Sequence, residues 1–229
     1  MTYTTIHKST LDFLKSVSKN NNRDWFNNNR QKYVDAHENI IAFTEALLKE
    51  IQKHDHLETT SAKESLMRIY RDTRFSKDKT PCKTHFSGGF KRATKNLRGG
   101  YYFQIGPGAS IAAGGFFSPE PHDLLRIRKD IEINYSSWRR MLAAKKFKST
   151  FTELKGEKLL TSPKGFPKDH PAIDLLRHKQ FYFRHPFTDK EILGTDFLKQ
   201  MNQAFKNLRP YFDYMSDILT TDMNGESIF

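Results

Sequence analysis

Residues 84–117 read THFSGGFKRATKNLRGGYYFQIGPGASIAAGGFF, and this stretch decides the predicted fold. Three segments rich in apolar and aromatic residues, Thr84 to Ala93, Tyr101 to Ile105 and Ala109 to Phe117, are separated by turns that contain glycine. Connections this short join antiparallel strands, because a parallel crossover needs a dozen or more residues. The stretch therefore predicts an antiparallel meander.

Two further segments extend the predicted sheet. Met67 to Arg71 alternates apolar and charged residues, as a half-buried strand does, and His178 to Phe187 contains an aromatic run. The sequence thus predicts about five strands.

Helical spacing of apolar residues appears on both sides of these strands. Residues 9–19 and 31–54 each carry an apolar stripe, and residues 195–219 form the last long helix. Asn22 is predicted to cap the second helix, and Ser118 to cap a helix in which Pro119 lies in the first turn. The fold class is therefore α+β: a mostly antiparallel sheet with helices packed on it and N- and C-terminal helical segments. Without an internal repeat or a low-complexity linker, residues 1–229 are predicted to form a single domain.

Composition restricts the cellular setting. The 229 residues include one cysteine, Cys82, so neither an intramolecular disulfide nor a multi-cysteine metal site is expected. The N-terminal residues lack an apolar signal core, and no window approaches the roughly 20 apolar residues of a membrane span. We therefore expect a soluble, cytoplasmic protein that does not enter a membrane.

Positive charge is concentrated in one segment. The formal net charge is +12, and residues 68–98 hold ten Lys or Arg against only Asp72 and Asp78, which leaves +8 there and +4 on the other 198 residues. A focused positive field attracts phosphates, nucleic acid or acidic partners. The alternative is a solubilising face without a ligand.

The densest part of this segment is residues 68–85, which read RIYRDTRFSKDKTPCKTH. This run resembles the signature of the domain-of-unknown-function 2461 family, an uncharacterised family, and the resemblance covers roughly residues 9–215. Cys82 departs from the family motif, which commonly has Tyr there. Other stretches that agree are Asn21–Phe26, Gly100–Tyr102, Gly114–Pro121, Pro163–Phe166 with His170 and Pro171, and Leu175–Lys179. The resemblance implies one continuous domain and carries no reaction with it.

Arg, Lys, Ser and Thr close together on a loop can surround an anion. Arg74 is able to grip a phosphate or carboxylate with two parallel hydrogen bonds, while the lysines add point charges. The sequence therefore predicts binding of, or catalysis on, an anionic, phosphate-bearing ligand. The predicted ligand-binding residues are Arg71, Asp72, Arg74, Ser76, Lys77, Asp78, Lys79, Lys83, Thr84, His85, Glu120 and Lys179, with Arg98 and Lys164 as further supporting groups.

Two interpretations from other classes remain open. A nucleic-acid-binding module would stack bases on aromatics that lie beside cations, although such residues also form the core face of sheets. These aromatics are Phe86, Phe90, Phe181, Tyr182 and Phe183. A structural protein would instead use the loop as a salt-bridged clasp, with pairs of the Arg71–Asp72 and Lys77–Asp78 type.

Catalytic and metal chemistry have weaker support. His85 suits a general acid or base, and Cys82 has cationic neighbours that would lower the pKa of its thiol. No HExxH spacing and no dinucleotide-binding glycine fingerprint is present. The remaining candidates are the cluster His54-Asp55-His56, the trio His170, Asp174 and His178, and a ligand approach at Gly114-Gly115. Catalytic residues and cofactors stay unassigned, and no metal site is predicted.

Overall fold

A computed structural model describes residues 4–222 and 226–227. Within these residues, four strands and nine helices follow in the order α1–α4, β1–β3, α5–α7, β4, α8, α9. The strands are β1 Phe86–Lys91, β2 Gly100–Ile105, β3 Ser110–Phe116 and β4 Phe181–Phe187. The helices are α1 Lys8–Lys19, α2 Arg23–Asn28, α3 Arg30–Gln52, α4 Ala62–Ser65, α5 Pro121–Ala143, α6 Lys145–Thr150, α7 Ile173–Leu176, α8 Asp189–Ile192 and α9 Phe197–Thr220.

The predicted antiparallel meander is confirmed. The four strands form one antiparallel sheet in the order β1-β2-β3-β4. Alternate residues of β2, Tyr101, Phe103 and Ile105, are buried, so one face of this strand belongs to the core. The α+β class is therefore established by the fold itself.

The segment 67–71 makes isolated bridges where the sequence analysis predicted a strand. Leu66 pairs with Gly88 and Tyr70 pairs with Cys82, without a continuous ladder between them. Pro81 has no N–H to donate, and proline is tolerated only at the margins of a ladder. The sheet therefore has four strands where about five were predicted.

Helix starts follow local backbone chemistry. The Asn22 side chain accepts a hydrogen bond from the Trp25 N–H, which confirms the predicted cap of α2. The predicted Ser118 cap is wrong, because α5 begins at Pro121 with Glu120 as its N-cap. Proline disfavours a helical backbone in the residue that precedes it. Glu120, which precedes Pro121, accordingly has φ −60° and ψ 153°.

Four of the five aromatic residues considered for base stacking are core residues, and the fifth, Tyr182, is half-buried. Phe86, Phe90, Phe181 and Phe183 are each at most 2% exposed. Rings this deeply buried cannot stack on a nucleic-acid base, so that part of the nucleic-acid interpretation is wrong. The alternative, a sheet core, is what the structure shows.

The contacts of the chain divide it into two compact units. Unit 1 comprises residues 1–90, 102–112 and 186–203, and unit 2 comprises residues 91–101, 113–185 and 204–229. The single-domain assignment stays a prediction.

In unit 1 the apolar stripe of α1 packs on α3. Buried Asn39 fastens the chain before α1, because its Oδ1 accepts from the His7 N–H at 2.9 Å and the Thr10 hydroxyl at 2.9 Å. Its Nδ2 donates to the Thr5 carbonyl at 2.8 Å. A buried amide satisfied in this way fixes one packing arrangement for both helices.

In unit 2 the core is built around Trp138, which is fully buried. The Trp138 indole N–H donates to Asp130 Oδ2 at 2.6 Å, and the Tyr214 hydroxyl donates to the same oxygen at 3.0 Å. Burial, together with the Asp130 charge, raises the pKa of Tyr214 well above its usual value. The Tyr214 phenol therefore stays protonated and continues to donate.

Gly115 allows a close backbone approach within unit 2. Its φ of +140° disfavours L side chains, and a Cβ there would lie 2.4 Å from the Phe181 carbonyl oxygen. The space beside Gly115 is thus filled by protein, which explains the glycine without a ligand. We expect Gly115→Ala to lower the free energy of unfolding by roughly 2–3 kcal/mol.

Urea denaturation measures this loss. The matched control is Gly165→Ala, which also has positive φ, +87°, but meets no atom within 4 Å. If both variants lost the same free energy of unfolding, backbone strain alone would explain the loss in Gly115→Ala, and the close approach at Gly115 would be contradicted.

His178 makes the stability of unit 2 depend on pH. It is 2% exposed, its Nδ1 has no hydrogen-bond partner within residues 4–222 and 226–227, and burial lowers its pKa to about 4, with Lys158 adding to the effect. The unfolded chain, with a pKa near the usual value of about 6.5, takes up the proton first as pH falls. The stabilising contribution is therefore complete above about pH 6.5 and is lost as pH falls towards 4.

We expect the free energy of unfolding to fall by on the order of 3 kcal/mol over this range from His178 alone. Denaturation at pH 7, 5.5 and 4 measures it, and His178→Gln should remove that part of the slope. Identical pH dependence in the wild type and the variant would show that His178 does not cause it.

Candidate functional site

The centre of the basic segment is a closed loop in unit 1, residues 71–81, which we call the arginine loop. Its neck is held by the bridge between Tyr70 and Cys82. The Arg71 N–H donates to the Pro81 carbonyl at 2.9 Å, and the Lys83 N–H donates to the Ile69 carbonyl at 2.8 Å. Both ends of the loop are therefore fixed by backbone pairing.

Arg71 organises the inside of this loop. Its Nη1 donates to the Asp78 carboxylate and to the Thr80 hydroxyl, and its Nη2 lies 3.4 Å from Ser76 Oγ. The Arg71 side chain remains 27% exposed. The guanidinium is thus held in place but still reaches solvent.

Asp78 is the counter-charge of Arg71. Its Oδ1 accepts from the Thr80 N–H and the Thr80 hydroxyl, each at 2.9 Å. The Thr80 N–H, followed by Arg71 and the Thr80 hydroxyl, lowers the pKa of Asp78 to about 2. Asp78 is therefore ionised throughout the physiological pH range.

Asp72 and Arg74 form a second, outer pair. Arg74 Nε donates to Asp72 Oδ1 at 3.0 Å and Arg74 Nη2 donates to Asp72 Oδ2 at 2.7 Å. This bidentate contact uses the guanidinium N–H groups of Arg74 that were predicted to bind a ligand. Phe75 beside it is 98% exposed, with the Arg74 guanidinium 5.9 Å from its ring centre.

Asn21 connects the arginine loop to the segment between α1 and α2. Asn21 Nδ2 donates to the Cys82 carbonyl at 2.9 Å, and Asn21 Oδ1 accepts from the Cys82 N–H at 3.0 Å. One amide thus satisfies both backbone groups of a residue 61 positions away. This pairing brings Asn22 and Arg23 beside the arginine loop.

An open cleft of about 630 Å³ lies between these two segments of unit 1. Its lining consists of Asn21, Asn22, Arg23, Tyr70, Arg71, Thr73, Lys79 and Pro81. These lining residues include three cations and no carboxylate. Such a cleft favours anions, because cations that line one concave surface reinforce one another's field.

A smaller hollow of about 180 Å³ shares part of this lining. Both hollows are bordered by Arg23, Tyr70 and Pro81, and the smaller one adds Phe26, Asn27 and Cys82. The charged cleft therefore continues into a surface with aromatic character.

The structure brings together only some of the sequence-predicted site residues. Arg71 and Lys79 line the cleft, while Ser76 and Asp78 contact Arg71 from within the loop. Lys79 Nζ donates to the Thr73 carbonyl at 2.9 Å. Asp72 and Arg74 contact each other instead of lining the cleft.

The other predicted residues of unit 1 do not line the cleft. Lys77 and Thr84 are exposed, and Lys83 and His85 are half-buried. Burial lowers the pKa of Lys83, and Arg68 lowers it further. Burial likewise lowers the pKa of His85, with Lys83 adding to the effect, so this imidazole is neutral at pH 7.

The remaining predicted residues belong to unit 2. Lys179 pairs with Glu157 at 3.2 Å, and Glu120 is the exposed N-cap of α5. Of the two supporting groups, Arg98 pairs with buried Asp123, and Lys164 is exposed. Arg98 and Lys179 therefore already have carboxylate partners.

Six of the eight lining residues were not among the predicted site residues: Asn21, Asn22, Arg23, Tyr70, Thr73 and Pro81. A signal for the first three was present, because they open one of the stretches that carry the family resemblance. Tyr70 lies inside the basic motif but was assigned to a strand. Charge alone does not indicate which neighbours complete a cleft.

The thiol and metal candidates gain no support. Cys82 is 2% exposed, and burial raises the pKa of its thiol, which opposes thiolate formation. Across residues 4–222 and 226–227, no three His, Cys, Asp or Glu side chains are grouped to hold a metal ion. Among the same residues, no helix has the length and apolar character to cross a bilayer.

The fold and the cleft define an α+β protein with a basic, open cleft formed by a closed loop and a helix-connecting segment. The model of the DUF2461 family, described as a conserved hypothetical protein, matches residues 9–214. This chain therefore belongs to the DUF2461 family, as its motifs predicted. No curated protein and no solved structure matches it.

Asn21→Ala tests how the cleft walls are joined. Losing both hydrogen bonds to Cys82 should lower the free energy of unfolding by about 1–2 kcal/mol and speed amide hydrogen exchange in residues 69–83. The matched control is Asn28→Ala at an exposed position of α2, which we expect to stay within about 0.5 kcal/mol of the wild type. Equal behaviour of the two variants in both measurements would contradict this role of Asn21.

Proposed function

We propose that this protein binds a phosphate-bearing ligand in the cleft beside the arginine loop. The observation that supports the proposal is that Arg23, Arg71 and Lys79 line one open hollow whose lining residues include no carboxylate. The cleft volume of about 630 Å³ lies within the range of roughly 300–1,000 Å³ that is typical of small-molecule sites.

The three cations keep donors available for a ligand. Arg71 uses both Nη1 hydrogens and one Nη2 hydrogen inside the loop, which leaves its Nε–H and one Nη2–H without a partner among the described residues. Lys79 uses one of its three hydrogens at Thr73. Arg23 is exposed and has no ion pair or hydrogen bond from its side chain to other described residues.

Phosphate suits this set of donors. A guanidinium presents parallel N–H groups that match two phosphate oxygens, and an ammonium adds a compact positive charge. Asn22 accepts at its Oδ1 as the cap of α2, and its amide hydrogens, which have no partner in the part of the chain that the structure describes, can donate to a ligand. The Asp78 carboxylate keeps Arg71 oriented before a ligand arrives, which lowers the entropic cost of binding.

We propose that the cleft binds its ligand, and we propose no reaction there. The lining residues offer no imidazole, thiol or carboxylate to act as a general base or nucleophile. A small ligand is favoured over nucleic acid because the three cations line one concave cleft, while four of the five aromatics considered for base stacking are buried.

Calorimetric titration with inorganic pyrophosphate at fixed ionic strength tests the proposal. Arg23→Ala should weaken binding at least about tenfold, because a charge-assisted hydrogen bond contributes about 1.5–3 kcal/mol. Lys79→Ala should act in the same direction. Neither exposed cation supports the core, so the free energy of unfolding should change little.

The matched control is Arg140→Ala, which removes the same charge from an exposed position of α5. We expect it to keep wild-type affinity. Equal weakening by Arg23→Ala and Arg140→Ala would mean that pyrophosphate responds only to net charge, and this would overturn the proposed site.

A further inference from the structure

The smaller hollow beside the basic cleft has an aromatic wall. Tyr70 borders both hollows and is 44% exposed, although its backbone is paired with Cys82. Its ring centre lies 5.4 Å from that of Phe26, which is 3% exposed. The Tyr70 ring is thus supported by a core residue while much of its surface stays open.

Size and composition both suit one planar ring. A cavity of about 150 Å³ is large enough to hold benzene, and the smaller hollow measures about 180 Å³. Aromatic side chains offer a stacking surface to any flat ring, and a guanidinium adds favourable contact with a ring face. Arg23 borders both hollows and can therefore contact a ring as well as an anion.

We propose that the ligand is a phosphate ester that carries a planar aromatic ring, with the ring against Tyr70 and the phosphate at Arg23, Arg71 and Lys79. This inference rests on the proposed phosphate-binding function and adds the second half of the ligand. A nucleoside monophosphate and an aryl phosphate share this chemistry, and they differ in the spacer between ring and phosphate.

Four probes separate the contributions of the phosphate, the ring and the spacer to the affinity: inorganic phosphate, ribose 5-phosphate, phenyl phosphate and adenosine 5′-monophosphate. For the wild type, at least one of the two ring-bearing probes should bind about tenfold or more tightly than the matching probe without a ring. Phenyl phosphate is compared with inorganic phosphate, and the nucleotide is compared with ribose 5-phosphate. The pair that shows the gain identifies whether the site takes a directly attached ring or one on a sugar.

Two variants test whether Tyr70 causes the gain in affinity that the ring provides. Tyr70→Leu should abolish it, so that the probes with and without a ring bind this variant within about twofold of each other, whereas Tyr70→Phe, which keeps the ring, should retain it. Equal affinity of the wild type for probes with and without a ring, or a gain that survives in Tyr70→Leu, would overturn the inference alone. Failure of the wild type to bind any of the four probes would overturn the proposed function together with it.

Discussion

The candidate site depends on the hydrogen bonds between the Asn21 amide and both backbone groups of Cys82. They join two segments that are 61 residues apart in sequence, and the cleft lies between those segments. A side-chain amide suits this position because it donates and accepts at once, as a neighbouring strand would. The bridge between Tyr70 and Cys82 uses the Arg71 and Lys83 N–H groups, so the N–H and carbonyl of Cys82 itself stay available and the Asn21 amide takes the place of a neighbouring strand there.

Charge pairing then decides which cations can receive a ligand. Asp78 holds the Arg71 guanidinium in place without burying it, whereas Asp72 accepts two hydrogen bonds from the Arg74 guanidinium. The loop is therefore a clasp and a candidate binding surface at the same time, which the sequence analysis treated as separate interpretations. The clasp also used different pairs from those considered, because the loop closes Arg71 onto Asp78, seven residues away, instead of onto its neighbour Asp72.

Much of the fold could be predicted because its determinants are local. Glycine turns between apolar segments indicated the meander, and Asn22 indicated the start of α2. The cleft could be predicted only in part, because its lining comes from segments far apart in sequence. Arg71 and Lys79 were found from charge density, but Arg23 depends on the Asn21 contact, which no local pattern reveals.

The most direct test of the central claim is a crystal structure of the full chain with tungstate, a heavy analogue of phosphate that anomalous scattering locates. We expect one strong peak in the cleft within hydrogen-bonding distance of Arg23, Arg71 and Lys79. Tungstate bound only elsewhere on the protein, with that cleft empty, would contradict it.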